Sequence, residues 1–150
     1  MRAINHALTG AVIGLSISTP YAAVPLAFVS HFALDALPHY GEENADLTTT
    51  GFKLSLIADA LLCFVLVLLL VVAKPENWLV AAVCAFVATA PDFASIRRYV
   101  WAQKGKKLEP QNWFTRFARN IQWGERTWGW IVEAAWFLAM LAVLSAHIAK

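Results

Sequence analysis

Charge is scarce in this sequence, and so is cysteine. Of 150 residues only 15% are charged, while 59% are hydrophobic and the mean hydropathy is +0.56. Soluble domains average about 25% charged and about 45–50% apolar residues, so the deficit points to a membrane protein. A net charge of +2 gives no overall pull toward nucleic acid; the placement of the charges says more. The two cysteines, Cys63 and Cys84, lie inside apolar runs with no C-x-x-C or zinc-knuckle spacing. They read as small buried hydrophobes. Nothing resembles a serine triad, a Walker loop or a dinucleotide fingerprint. "GAVIGLS" lacks the lysine and the preceding strand that a phosphate loop requires. The opening "MRAINHALTG" does not read as a signal peptide, with its single arginine, early histidine and no clear cleavage site. The length leaves room for one domain, 1–150, and none for a separate soluble enzyme.

What is present is a set of five apolar segments, at 4–18, 21–37, 52–73, 77–90 and 128–149. A membrane-spanning helix needs about 20 residues at about 1.5 Å of rise each. The third and fifth segments meet that length. The first, second and fourth are short and interrupted by Gly or Pro, so they are expected to tilt, to lie partly at the interface or to be shielded by the long ones. "STP" at 18–20 is a tight link, 40–51 a solvated loop and 73–77 a turn, and Pro91 is expected to end or kink the fourth helix. The expected fold is all-α: a polytopic membrane helical bundle of about five helices plus an interfacial helix.

Lysine and arginine orient it. Arg97, Arg98, Lys104, Lys106, Lys107, Arg116, Arg119 and Arg126 fall between the fourth and fifth segments, in a basic loop at about 94–127. The positive-inside bias places that loop in the cytoplasm. Five crossings then put the N-terminus, Arg2 and Lys53 inside, and Lys74 and Lys150 outside. Within the loop, "NWFTRFARNIQWGERTW" mixes Trp113, Phe114, Phe117, Ile121 and Trp123 with Arg116 and Arg119. This suits a helix in the headgroup layer whose arginines reach anionic headgroups of membrane lipid. Nucleic-acid binding is the rival for this stretch and ranks below lipid. Trp78, Trp128 and Trp130 read as interface anchors.

On that topology the polar residues gather at one depth. His6 starts segment one; His31, Asp35 and His39 end segment two. Asp59 lies early in segment three, Asp92 follows segment four, and Glu133 lies early in segment five. His147 falls at the other end and is set aside. Ionisable groups inside a membrane are costly and face an interior or a wet cavity, so these are expected to converge in one polar pocket. His31 and Asp35, four apart on a helix, share a face and can grip one ion. Imidazole with carboxylate suits zinc, and also manganese or iron. Plainer readings stand beside these. His6 can be a helix-start residue near headgroups and His39 a loop histidine. His31 and Asp35 can be a pair that locks two helices, and Asp92 can be an N-cap. Glu133 is read as a partner of Arg126 or Arg119 rather than a catalytic group.

"NHALTGAVIGL" followed by "SHFALDALPHYG" resembles a bacterial inner-membrane family of membrane-bound metal-dependent hydrolases. His31, Asp35, Pro38 and His39 are also similar to the ligand helix of the zinc-dependent phospholipase C and single-strand nuclease superfamily. The match covers His6, His31, Asp35 and His39, in about the first quarter of the chain. It departs from the membrane family's Pro-Asp-x-Asp-His run, for which this chain has "LPHYG", with "APDF" only at 90–93. The resemblance implies an inner-membrane, multi-pass hydrolase with one or two divalent ions. The substrate it implies is a phosphoester, either a small molecule or lipid-like, met at the cytoplasmic interface. In that reading His6, His31 and Asp35 are metal ligands, His39 or Asp59 completes the set, and Asp59 or Asp92 acts as general base or orients a ligand. Two alternatives have no hydrolytic role: a small proton- or cation-coupled transporter using the same groups as a relay, and a non-catalytic scaffold binding lipid or a partner through the basic aromatic loop.

Overall fold

A computed structural model of the protein describes residues 1–41, 46–106 and 112–149. Lys107 and Lys150, two of the charges used to orient the chain, and residues 42–45 of the solvated loop lie outside the described residues. The described chain is an all-α helical bundle. Its main helices are α1 (Ala3–Ser16), α2 (Pro20–Asp35), α3 (Thr50–Ala73), α4 (Trp78–Thr89), α5 (Ile96–Gln103), α6 (Trp113–Ile121) and α7 (Trp130–Ile148). Three stretches are long and apolar enough to cross a membrane: Thr50–Ala73, Trp78–Gln103 and Thr127–Ile148. The first and last match the third and fifth apolar segments; the fourth, 77–90, reaches spanning length only because the helical path runs on through Ala90–Ser95 to Gln103.

Helix α1 is the axis of the bundle. It is too short to span about 30 Å of hydrocarbon by itself, with 14 residues, and it does not need to meet lipid. Ile4, Ala7, Leu8, Ala11 and Leu15 are buried, and so are the polar Asn5, His6 and Thr9. Helices α2, α3, α4 and α7 all pack on it. The closest approach is to α4. A Cβ at Gly10 would collide with the Cys84 carbonyl, and one at Gly14 with the Ala81 backbone. Glycines four apart on α1 therefore meet the small residues Ala81, Cys84, Ala85 and Ala88 of α4, all buried. In lipid, where no hydrophobic drive brings helices together, such close backbone contact is what holds them.

Helix α3 shows the opposite economy. Only Asp59, Leu66 and Leu70 are buried along its 24 residues, with Cys63 half-buried between them. These four recur at i, i+4, i+7 and i+11, one narrow stripe facing the bundle. Leu61, Phe64, Val65, Leu68 and Val72 are exposed, as expected of a helix whose other faces contact acyl chains. Thr49 caps its start by accepting a hydrogen bond from the Phe52 amide at 3.2 Å. Just before it, Asp46 accepts from the Thr48 amide and hydroxyl at 2.8 and 2.7 Å, which holds its carboxyl below the usual range. Lys74 ends α3 in the left-handed region, φ 45°.

Pro91 does what the sequence suggests. Helix α4 stops at Thr89, and Ala90–Ser95 continue as a tighter 3-10 turn before α5. The described residues of the basic loop are mostly helical, with α5 and α6 among them. A short parallel pairing of His39–Tyr40 with Glu125–Arg126 clamps the exit of α2 to the entry of α7. Gly129 presses so closely on the His39 backbone that no side chain fits there.

The α1–α4 contact sets a stability test. Gly10→Val is expected to destabilise the detergent-purified protein by about 1–3 kcal/mol through overpacking. Gly51→Ala, at a position with nothing within 4 Å, is expected to be neutral or stabilising by up to about 1 kcal/mol. Thermal or denaturant midpoints of the two variants against wild type check this; equal midpoints would remove the close-approach argument.

Candidate metal centre

The centre forms where the start of α1 meets the end of α2. His6 Nε2 lies 3.2 Å from Asp35 Oδ1, and His31 Nε2 lies 3.3 Å from Asp35 Oδ2. The two imidazoles stack with ring centroids 4.0 Å apart. Ligand-type atoms of His6, His31 and Asp35 all lie within 4.8 Å of one another, and all three residues are buried. This group could hold a metal ion. The helical spacing of His31 and Asp35 puts both on the face of α2 that also carries Ala23 and Ala27 into the core. His6 comes from the neighbouring helix because α1 is buried on every side.

Hydrogen bonding shows which nitrogens are available. His31 Nδ1 is 2.8 Å from the Ala88 carbonyl oxygen. A carbonyl only accepts, so Nδ1 must carry the proton. Nε2 then points at Asp35 and, at 3.8 Å, at Asp92 Oδ1. A lone pair facing carboxylate oxygens is favourable only when a proton or a cation stands between them. An imidazole that donates one N–H to a backbone carbonyl while the other nitrogen faces the site is how metal-bound histidines are held. His6 is buried too: its Nε2 meets Asp35 at 3.2 Å without hydrogen-bond geometry, and its Nδ1 has no hydrogen-bond partner among the described residues. A buried unsatisfied nitrogen costs about 1–3 kcal/mol.

Asp35 is the electrostatic hub. The Met1 α-amino group donates to Oδ1 at 2.7 Å, and the Gln122 side-chain amide donates to Oδ2 at 3.3 Å. Asp92 stands at the rim, its side chain 38% exposed, and so opens the centre toward the surface.

The other residues singled out from sequence fall close by but in separate contacts. Asp59 receives the amides of Ala3 and Ile4 at 3.2 and 3.5 Å. It reaches across from α3 to supply the acceptor that Arg2, at the N-cap position of α1, does not. Glu133 accepts from the Arg2 amide at 3.1 Å and lies 3.6 Å from the Arg2 guanidinium. Its partner is therefore Arg2, not Arg126 or Arg119; Arg126 instead donates to the carbonyls of Trp123 and Glu125. His39 turns Nδ1 to the Leu37 carbonyl at 2.8 Å and Nε2 to Glu125 at 4.0 Å. Geometry thus joins His6, His31 and Asp35 with Asp92 beside them, and leaves Asp59 and His39 outside the group. Ser16 and His147 meet at 3.4 Å at the opposite end of the bundle. An apolar cleft lined by Leu69, Leu141, Leu144 and Ile148 also lies at that end, far from this chemistry.

Sequence reasoning missed Gln122 and Glu125. Neither lies in an apolar segment, and only the folding of the basic loop back over α2 brings them in. No family model, curated protein or solved structure matches this chain.

Asp59→Ala is expected to lower stability by about 0.5–2 kcal/mol through loss of the α1 cap. Hydrogen exchange at Ala3 and Ile4 should quicken with it. Unchanged exchange at those amides would show that the carboxylate does not hold the helix start.

Proposed function

We propose that the chain is an inner-membrane, multi-pass metal-dependent hydrolase, with the His6–His31–Asp35 end of the bundle facing the cytoplasm. The observation that carries the reading is the triad itself: three buried ligand-type side chains from two helices, with His6 Nε2 and His31 Nε2 both turned to the Asp35 carboxylate. The donor set of two imidazoles and one carboxylate favours zinc, with manganese or iron as other fits. It leaves coordination positions for water and substrate.

A bound divalent ion would polarise a phosphoester and make hydroxide available near neutral pH. The chain's part is to hold and balance it. His6 and His31 offer neutral nitrogens, and the Ala88 carbonyl fixes the His31 ring. Asp35 offsets charge. Asp92, half open to the surface beside His31, is placed to accept a proton from an incoming water. The orientation is supported by Lys104, Lys106, Arg116, Arg119 and Arg126, which lie between the candidate spans Trp78–Gln103 and Thr127–Ile148, with Arg97 and Arg98 near the end of the first. A small or lipid-like phosphoester is the substrate class this setting suits. A transporter relay is less well supported, since the buried face of α1 between His6 and Ser16 carries mainly Leu8, Ala11 and Leu15.

Elemental analysis of the detergent-purified chain tests the proposal. Wild type is expected to hold near-stoichiometric metal, and His31→Ala and Asp35→Ala to lose it. His39→Ala, whose imidazole pairs elsewhere, is expected to keep it and so reports that a substituted chain still folds. Negligible metal in all four would overturn the reading. With metal present, hydrolysis of a generic phosphodiester should fall with the loss of metal and also in Asp92→Asn, which should keep its metal.

A further inference from the structure

Helix α6 divides cleanly around its circumference. At 100° per residue, Trp113, Phe114, Phe117, Ala118 and Ile121 fall on one side, and Thr115, Arg116, Arg119 and Asn120 on the other. Among the described residues only part of the apolar side is used. The rings of Phe114 and Phe117 lie 6.3 and 5.5 Å from that of Phe32 on α2. Trp113 remains 79% exposed, Phe117 47% and Trp123, just beyond the helix, 70%. Arg116 and Arg119 are exposed too.

Two further observations say what covers this face. The apolar surface is continuous: Phe32 packs on Phe28 at 5.4 Å, and Phe28 and Val29 are exposed along α2. The uncovered edge of α6 therefore runs into the flank of the bundle. The charge is also complementary to one surface. Indoles lie favourably at headgroup depth, and guanidinium groups pair with phosphate oxygens in two-pronged fashion. Each arginine near an anionic leaflet strengthens attachment by about fivefold.

The same helix is tied to the metal centre at two points. Gln122, directly after α6, donates to Asp35 Oδ2 at 3.3 Å. Phe32, on which α6 rests, lies edge-on to the His31 ring at 5.2 Å. We infer that α6 docks on the anionic headgroup surface of the bilayer and, seated there, holds Gln122 against Asp35 as a positioning residue. The docking stands on the helix alone; the role of Gln122 rests on the metal reading.

Hydrogen exchange of the full chain in lipid nanodiscs separates the two. Discs of phosphatidylcholine are compared with discs that also contain phosphatidylglycerol. Amides of residues 113–121 are expected to exchange about tenfold more slowly in the anionic discs. The difference should vanish in the R116Q/R119Q double variant and in high salt, and return in R116K/R119K. Equal exchange in both lipids, or protection that ignores the arginine substitutions, would overturn the docking. So would protection by added single-stranded DNA in neutral discs exceeding that by anionic lipid, which would make α6 a nucleic-acid surface. For Gln122, the Gln122→Ala variant is expected to bind metal about 10–100-fold more weakly. It should also shift the visible spectrum of the cobalt-loaded chain while α6 stays protected. Unchanged affinity and spectrum would overturn that role. Wild type without metal would overturn the metal reading, and the exchange result would still decide the docking.

Discussion

A buried helix start needs acceptors, and the arrangement of this bundle follows from that need. The first amides of α1 have no partners within the helix, and they lie partly to fully buried against neighbouring helices. Asp59 of α3 takes two of these amides and Glu133 of α7 takes the one before. Two carboxylates that would be very costly in lipid are thereby satisfied by backbone dipoles, at the positive end of a helix where negative charge is favoured. The same contacts bring α3 and α7 to the depth where α1 carries His6.

The opposite side of α1 is set by size instead of charge. Gly10 and Gly14 let α4 approach until backbones touch. That approach places the Ala88 carbonyl against His31 Nδ1 and brings Asp92, just past Pro91, to the rim. A stripe of small residues thus decides which nitrogen of a histidine on a third helix is free. The packing and the candidate chemistry are one construction: α1 supplies His6, α2 supplies His31 and Asp35, and α4 fixes the tautomer.

Much of this was legible in advance. Five apolar runs became α1, α2, α3, α4 and α7, and the proline at 91 produced the expected break. Gathering the acids and histidines at one end needed only the rule that charge inside a membrane seeks charge or water. His31 with Asp35 followed from helical spacing. What stayed illegible was the division of labour among chemically equal residues. Asp59 and Asp35 are both aspartates within apolar helices, yet one meets amides and the other imidazoles. The glycine pair on α1 could have been read as a packing signal; it was visible only as a failed phosphate loop.

By itself the sequence determined the helices, their apolar faces and the end of the bundle to which ionisable groups belong, because these depend on periodicity and on the cost of charge in hydrocarbon. Tertiary structure alone decided that Asp59 meets backbone amides, that Glu133 pairs with Arg2, and that Gln122 returns from a polar loop to Asp35. Those pairings turn on distances of a few ångströms between helices. Such distances are set by how closely backbones pack, and no local pattern of residues encodes them.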